Sequence, residues 1–473
     1  MKKRVTRRCF LASAGAAASV TLLSEPFFDG AQARAAVPLV RRDVGKMDAN
    51  DPILVAYGNA IQKMQSLPNN NPLSWAYQAA IHGTLLSPPL TAWNTCEHGT
   101  DFFWSWHRMY LYWFERIIRK VCNEPCWALP YWGWAPGSEL QLPAPFRVTT
   151  SPLYANRNPA INNGTGSLNP LAVSISSAFS NTNFLTTNQM IQYPHGNVHG
   201  EVGGWMCCVP SAAQDPIFYL HHANVDRQWN LWLAQGGGRT DPLWDATWKN
   251  RQYTFFDENG AQVQMTACEI LRAAEQLNYV YECEPPQVKE YCLRILPPPW
   301  VFEIEVLLHV PIPPVELQAE PVTFPIELKG IGARIMALAE SKMDTVLLEF
   351  NDVEAEKPPE AVWAVFVDRP AGMQIDEKSP SFVGSFSLFG VGIRSETHHE
   401  FKPGRFVFPL NRALQAGLKP GEERISVTVE PIGILISGKP SRPEVKSPVR
   451  IGKVNLLVEH RKEGPKEGSE KPE

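Results

Sequence analysis

No Cys-x-x-Cys pair occurs anywhere in the chain, which removes the ligand spacing of a zinc ribbon. There is no His-Glu-x-x-His either, so the zinc-hydrolase helix with its built-in general base is missing. Charge is sparse. Only 19% of residues are charged, the formal net charge is −4, and no basic block is large enough to follow a nucleic-acid backbone, so that class of partner is excluded. Long apolar runs are lacking too. The N-terminal apolar stretch, Phe10 to Leu23, is short and rich in Ala and Ser, which argues against a membrane anchor.

What the chain has instead is aromatic bulk: 15 Trp, 12 Tyr and 22 Phe in 473 residues, enough for two or three domains with substantial cores. Residues 1–35 read as an export signal, with six basic and two acidic side chains, the apolar stretch, and small residues at Ala31-Gln32-Ala33 and Ala33-Arg34-Ala35. Arg7-Arg8 ahead of Phe10-Leu11 resembles a twin-arginine signal, which implies the twin-arginine translocase as a transient partner and a periplasmic or extracellular destination. That route carries folded proteins and suits one that takes up metal before export; an ordinary secretory signal is the alternative. Nine cysteines, eight of them beyond the signal, fit an oxidising compartment.

Three zones follow. Residues 36–285 show helical patterning and are expected to form an α-helical domain. Residues 286–325 carry Pro297-Pro298-Pro299 and Pro313-Pro314 and read as a linker or extended strap. Residues 326–460 alternate apolar and polar in short runs such as Thr345–Phe350 and Arg424–Glu430, which predicts a small antiparallel β domain. Residues 461–473 are charged and expected to be disordered. In the first zone helices are expected over Leu73–Leu86, over Thr100–Cys122 with Thr100 or Asp101 as cap, from His195 to about Gly203, and from Asp215-Pro216 through Leu233.

Seven of the eleven histidines lie between 82 and 222. His195 and His199, four apart, project from one helix face and can hold one ion. With His222 they make one set of three; His82, His98 and His107 make another. Phe103 and Phe218 each precede a histidine (His107 and His222) by four residues and can pack beside it. Imidazole-only sites suit copper, zinc, iron or nickel, and no Glu-x-x-His accompanies these two sets, as a diiron bundle would need. His309, His398, His399 and His460 have no comparable setting and read as structural or solvated.

Cys96-Glu-His-Gly99, Trp106-His-Arg-Met-Tyr-Leu-Tyr-Trp-Phe-Glu-Arg116, Leu129-Pro-Tyr-Trp-Gly-Trp134, Pro194-His-Gly-Asn-Val-His199 and the run Asp215 to Trp229 together resemble the tyrosinase, catechol oxidase and haemocyanin family of type 3 copper proteins. Tyr279-Val280-Tyr281 resembles the Tyr-x-Tyr that closes the catalytic domain of plant polyphenol oxidases. The resemblance implies a four-helix bundle with copper A on His82, His98 and His107 and copper B on His195, His199 and His222, followed by a small β-sandwich. It implies O2 as co-substrate and a phenolic small molecule as substrate, with His221, Phe218 and Gly196 at the reacting face and Phe103 and Asp226 behind the ligands. Asp226 either orients the His222 ring or makes a helix salt bridge.

Two departures bear on the substrate. Where plant members that hydroxylate monophenols carry Glu, four residues before the first copper B histidine, this chain has Ile191; where they carry Asn, just after it, stands Gly196. Diphenol oxidation to o-quinones is therefore expected over monophenol hydroxylation. Cys96-Glu97-His98 is similar to the Cys-x-His of fungal and molluscan members and implies a Cys96–His98 thioether, a disulfide being the alternative. Cys207 and Cys208 are candidates to staple their loop to Cys122 or Cys126, or are simply buried. The C-terminal domain resembles the lid of latent polyphenol oxidases, with a stabilising or partner-binding role as the alternative. An O2 carrier of the haemocyanin kind uses the same ligands and is the competing function.

Overall fold

Asp51 stands before Pro52 and its carboxylate accepts from the Ile53 amide, so helix α1 (Pro52–Gln65) begins with an orphan donor satisfied and proline where no amide is needed. Ser74 similarly accepts from the Tyr77 amide at the start of α2 (Trp75–His82). Helix α2 ends on His82, and helices α3 (Phe103–Cys122), α4 (Gln192–Val202) and α5 (Ile217–Ala234) carry His107, His195, His199, His221 and His222. These elements belong to a computed structural model that describes residues 38–137, 139–282, 300–359, 361–370, 376–393 and 402–464. The export signal, Cys283, Cys292, His398, His399 and the last nine residues lie outside the described residues.

Helix boundaries differ from expectation for identifiable reasons. The first expected helix, Leu73–Leu86, is shorter at both ends. Gly83 turns the chain so closely past a neighbouring loop that a Cβ there would meet the Val209 carbonyl oxygen at 2.6 Å. Neither Thr100 nor Asp101 caps α3. Its Trp104 amide is capped from another segment by Asn188 Oδ1 at 3.1 Å, and Asn188 Nδ2 donates to the Thr100 carbonyl. Helix α4 starts three residues before His195. Asp215 does accept from the Ile217 amide, and its carboxylate also takes a two-pronged ion pair from Arg157 at 2.7 Å each.

The helical core is closed by a short parallel pair, β1 (Leu39–Arg41) beside β2 (Tyr279–Tyr281), in the register Leu39↔Tyr279 and Arg41↔Tyr281. The C-terminal region is two antiparallel sheets. Its strands are β3 (Trp300–His309), β4 (Val315–Leu317), β5 (Val322–Glu327), β6 (Asp344–Glu354), β7 (Val362–Val367), β8 (Phe382–Phe386), β9 (Gly404–Pro409), β10 (Arg424–Ile432) and β11 (Val449–Glu463). One sheet runs β8-β7-β10-β5; the other runs β9-β6-β11-β3, with β4 also pairing β11. Phe350 of β6 touches Phe324 and Phe386 of the other sheet, at 6.4 and 6.1 Å between ring centroids.

Residues 300–325, expected as part of a linker, instead supply β3, β4 and most of β5. Their prolines are compatible with this because Pro311, Pro313, Pro314 and Pro321 fall between the strands, and Pro325 sits in β5, an edge strand. Likewise Arg461–Glu463, expected to be disordered, extend β11.

The two regions meet through polar contacts. Glu459 of β11 is buried and accepts from Asn181 Nδ2 and Asn183 Nδ2 at 2.8 Å, and from Thr186 Oγ1. The Val407 amide donates to Tyr193 OH at 2.8 Å, and Arg405 exchanges hydrogen bonds with Gln189. Among the described residues, no helix is long and apolar enough to cross a membrane.

Candidate metal centre

The ends of α2 and α4, one face of α3 and α5, and the loop before α3 bring all six predicted histidines together, each 5% exposed or less. His82, His98 and His107 lie 5.1, 5.2 and 5.9 Å apart by ring centroids. His195, His199 and His222 lie 4.7, 4.8 and 5.6 Å apart. The sets are contiguous: His107 stacks on His222 at 4.4 Å and His98 on His195 at 5.5 Å. Possible donor atoms of His195, His199, His221 and His222 all fall within 4.8 Å of one another, as do those of His82, His107 and His222.

Hydrogen bonding on the far side of each ring decides what the near side offers. His107 Nδ1 lies 2.8 Å from the Phe103 carbonyl, His199 Nδ1 2.8 Å from that of Met206, His82 Nδ1 3.2 Å from that of Val209, and His195 Nδ1 3.4 Å from that of Gln192. A carbonyl only accepts, so Nδ1 carries the proton and Nε2 keeps its lone pair for a metal. The Nε2 atoms of His107, His195, His199 and His222 are buried and have no hydrogen-bond partner. Burial pushes the His107 imidazole down to about 3, and burial with neighbouring rings pushes His195, His199 and His222 well below their usual range. The rings are therefore neutral, as metal ligands must be. A cluster of neutral, inward-facing imidazoles with no carboxylate among them fits copper.

Phe103 and Phe218 pack where expected, and each also touches the opposite set. Phe103 lies 4.5 Å from His107 and 4.7 Å from His195; Phe218 lies 4.3 Å from His222 and 4.7 Å from His82. They wedge both histidine sets against rotation. His221 is fully buried beside His195, His199 and His222. Cys96 Sγ is 3.2 Å from His98 Nδ1. Ile191 is buried and brings no carboxylate.

Asp226 turns away from the ligand it was expected to orient. Its carboxylate lies against Arg108 and Arg41 and accepts from Tyr279 OH at 2.7 Å and Tyr281 OH at 2.6 Å; Arg41 also binds Glu115 at 2.8 Å. The salt bridge is real, but its partners are on β1 and α3, not on its own helix. This buried knot ties β1, α3, α5 and β2 together beneath the site. Of the cysteines, Cys122 carries a free thiol, so it does not staple the Cys207-Cys208 loop, and Cys126 and Cys268 are disulfide-bonded. His309 bonds Asn455, and His460 bonds Asp344 and Glu305, in keeping with structural roles.

Sequence reasoning missed Phe389. It comes from the C-terminal region, in the turn Ser387-Leu-Phe-Gly-Val-Gly392, and stacks face to face on His199 at 3.8 Å and 7°. It also edges His98 and His195 at 5.4 and 5.5 Å. Gly390, at φ 76°, lets the turn pass so close that a Cβ would lie 2.8 Å from that of His98. An aromatic flanked by glycines in an otherwise β-rich stretch was the available signal. A cavity of about 200 Å³ borders it, lined by Gln192, Lys402 and Arg405 among others.

Residues 72–189 and 151–235 match the family described as the common central domain of tyrosinase, and residues 243–289 match the polyphenol oxidase middle domain. A tyrosinase of Hahella sp. is 33% identical over 291 residues, which is 50% of this chain and 61% of that protein. Over residues 72–235 and 243–289 the chain belongs to the tyrosinase and polyphenol oxidase family. Its plant relatives include the latent chloroplastic polyphenol oxidase of Prunus armeniaca, 30% identical over 52% of this chain and 49% of the relative. The chain spans about half the length of most of the curated family members it matches. In fold the likeness extends further. Latent aurone synthase, a polyphenol oxidase, superposes over 93% of this chain and 92% of its own with a TM-score of 0.64 at 20% identity; latent apple tyrosinase gives 0.59 over 92% and 100% at 22%.

Proposed function

We propose that the protein is an exported type 3 copper oxidase that converts o-diphenols to o-quinones with O2, held latent by its C-terminal region. The carrying observation is the double set of buried imidazoles, in which His82, His107, His195 and His199 engage backbone carbonyls through Nδ1 and so keep their Nε2 lone pairs for a metal. In this reading His82, His98 and His107 hold copper A, His195, His199 and His222 hold copper B, the helices form a bundle, and the two sheets form a sandwich. Bound copper supplies the O2 reduction and the two-electron oxidation of the diphenol. The chain's own part is to keep His107, His195, His199 and His222 neutral by burial, to fix His82, His107, His195 and His199 through backbone carbonyls, to brace both sets with Phe103 and Phe218, and to exclude water.

Ile191 and Gly196 favour diphenols. With no carboxylate at 191 and no amide at 196, nothing at these two positions holds a water to deprotonate a monophenol. Protein loaded with about two coppers per chain should consume O2 and form quinone from catechol. A reversible O2-dependent absorption band without turnover would instead make it a carrier, and lag-phase oxidation of tyrosine would overturn the diphenol preference. His199→Ala should lose about half the bound copper and essentially all turnover.

The proximity of Cys96 Sγ to the His98 ring supports a thioether to that ligand. Peptide mass mapping of the copper-loaded protein should then find the two residues joined, with the loss of two hydrogens; Cys96 freely alkylated would sink it.

Latency is supported by Phe389, whose ring covers the copper B ligand His199, and by the latent state of the fold's relatives. The twin-arginine-type signal supports export, to be read from the mature N-terminus of secreted protein, expected near Ala35.

A further inference from the structure

His221 is set apart from the ligand histidines by what faces its Nδ1. Around His82, His107, His195 and His199 that partner is a carbonyl oxygen. At His221 it is the Trp134 indole N–H, which donates to Nδ1 at 2.9 Å. Indole N–H is only a donor, so His221 Nδ1 must accept, and in the neutral ring the proton sits on Nε2. The pairing therefore runs opposite to that of these four. His221 Nε2 has no lone pair to give a metal.

The lock is built in. Trp132 N donates to the Leu220 carbonyl at 3.0 Å, and Asn224 Nδ2 donates to the Trp134 carbonyl at 3.0 Å, so residues 132–134 are stitched to α5 on both sides of His221. The imidazole lies between Trp134, at 5.4 Å and 28°, and His195, at 5.2 Å and 18°, which fixes its plane. Its Nε2 is buried without a hydrogen-bond partner, beside His195, His199 and His222. An unanswered donor in such a place requires an acceptor that the protein itself does not provide.

We propose that Trp134 holds His221 as an Nε2–H donor, so that His221 is the hydrogen-bond donor to an oxyanion or other anionic ligand at copper B rather than a fourth imidazole on that ion. The inference rests on the copper reading above. The natural acceptor is the phenolate oxygen of the substrate. Trp134 is the positioning residue, because it touches no ligand of the metal and acts only through the ring it orients.

The tautomer is readable without copper. In the full chain, metal-free and ¹⁵N-labelled at histidine, NMR should show His221 protonated at Nε2 and His107 and His199 at Nδ1. Trp134→Phe should abolish the His221 preference and leave the other two unchanged. His221 protonated at Nδ1 in the wild type would overturn the proposal. The donor role is read by titrating azide into the oxidised, copper-loaded protein. His221→Phe should weaken azide binding by about tenfold or more with copper content unchanged. His221→Gln, which keeps an N–H, should stay within about threefold of wild type. Equal azide affinity in all three proteins would overturn the donor role. Failure of the wild type to bind two coppers would sink the oxidase reading, while the tautomer result would still stand or fall by itself.

Discussion

Asp226→Ala is expected to be the most destabilising single change in the catalytic core, costing about 3–5 kcal/mol, the range for breaking a buried ion pair by removing one partner. One carboxylate answers two guanidinium groups and two phenols, and both Arg41 and Arg108 are fully buried. Without it, Arg41 keeps Glu115, but Arg108 keeps only carbonyl and amide acceptors such as Leu271 O and Asn230 Oδ1. The expected result is a large drop in the urea midpoint of the metal-free protein, with an unchanged midpoint as the contrary outcome. Asp226→Asn should fare little better, since its amide turns donors toward donors. Acid gives the same answer another way. Burial alone would raise the Asp226 carboxyl, but Arg108 and Arg41 outweigh it and hold it below the ordinary carboxylate range. A depressed folded value means that the stabilisation is present above an unfolded value of about 4 and is lost only as pH falls through the folded one. Wild type and Asp226→Ala should thus differ most near neutrality and converge in strong acid.

Glu459→Ala is expected to raise catechol turnover. In the closed arrangement the buried Glu459 carboxylate is met by three neutral donors, from Asn181, Asn183 and Thr186. Hydrogen bonds to a charged group are worth about 1.5–3 kcal/mol each. Losing a net 3 kcal/mol would shift a closed-to-open equilibrium by roughly a hundredfold. An initial rate at least about tenfold higher, at unchanged copper content, is the signature of a lid. A domain that merely stabilises would show a lower melting temperature with no gain in rate. Phe389→Ala tests the same idea at the other end of the contact, because it removes the ring over His199 and leaves the Glu459 latch intact.

The clustering of the six histidines is legible in the sequence because helices place five of them: spacing puts His195 and His199 on one face, and each Phe beside its own histidine. What escaped was whatever depends on distant partners. Asn188 caps α3 from 84 residues away, so the local candidates Thr100 and Asp101 were misleading. Asp226 found its cations on β1 and α3, which a helix-local reading cannot supply. The prolines of residues 300–325 suggest a break in structure, yet all but Pro325 fall between strands and Pro325 sits in an edge strand, and nothing in one strand's sequence says that it lies at an edge. Phe389 and Glu459 act only across an interface whose two halves are some 200 residues apart or more.

Gly196 carries a consequence for anyone who would retune the site. A Cβ built there would come within 3.0 Å of Ser387 Oγ and 3.1 Å of Phe389 Cβ. Any side chain at 196 therefore contends for volume with the turn that covers His199. An asparagine introduced to recruit monophenols would also prop the cover ajar, and a bulkier turn would forbid the asparagine. Under the function proposed above, selectivity and closure share one small space, and an evolving or engineered variant must move both together.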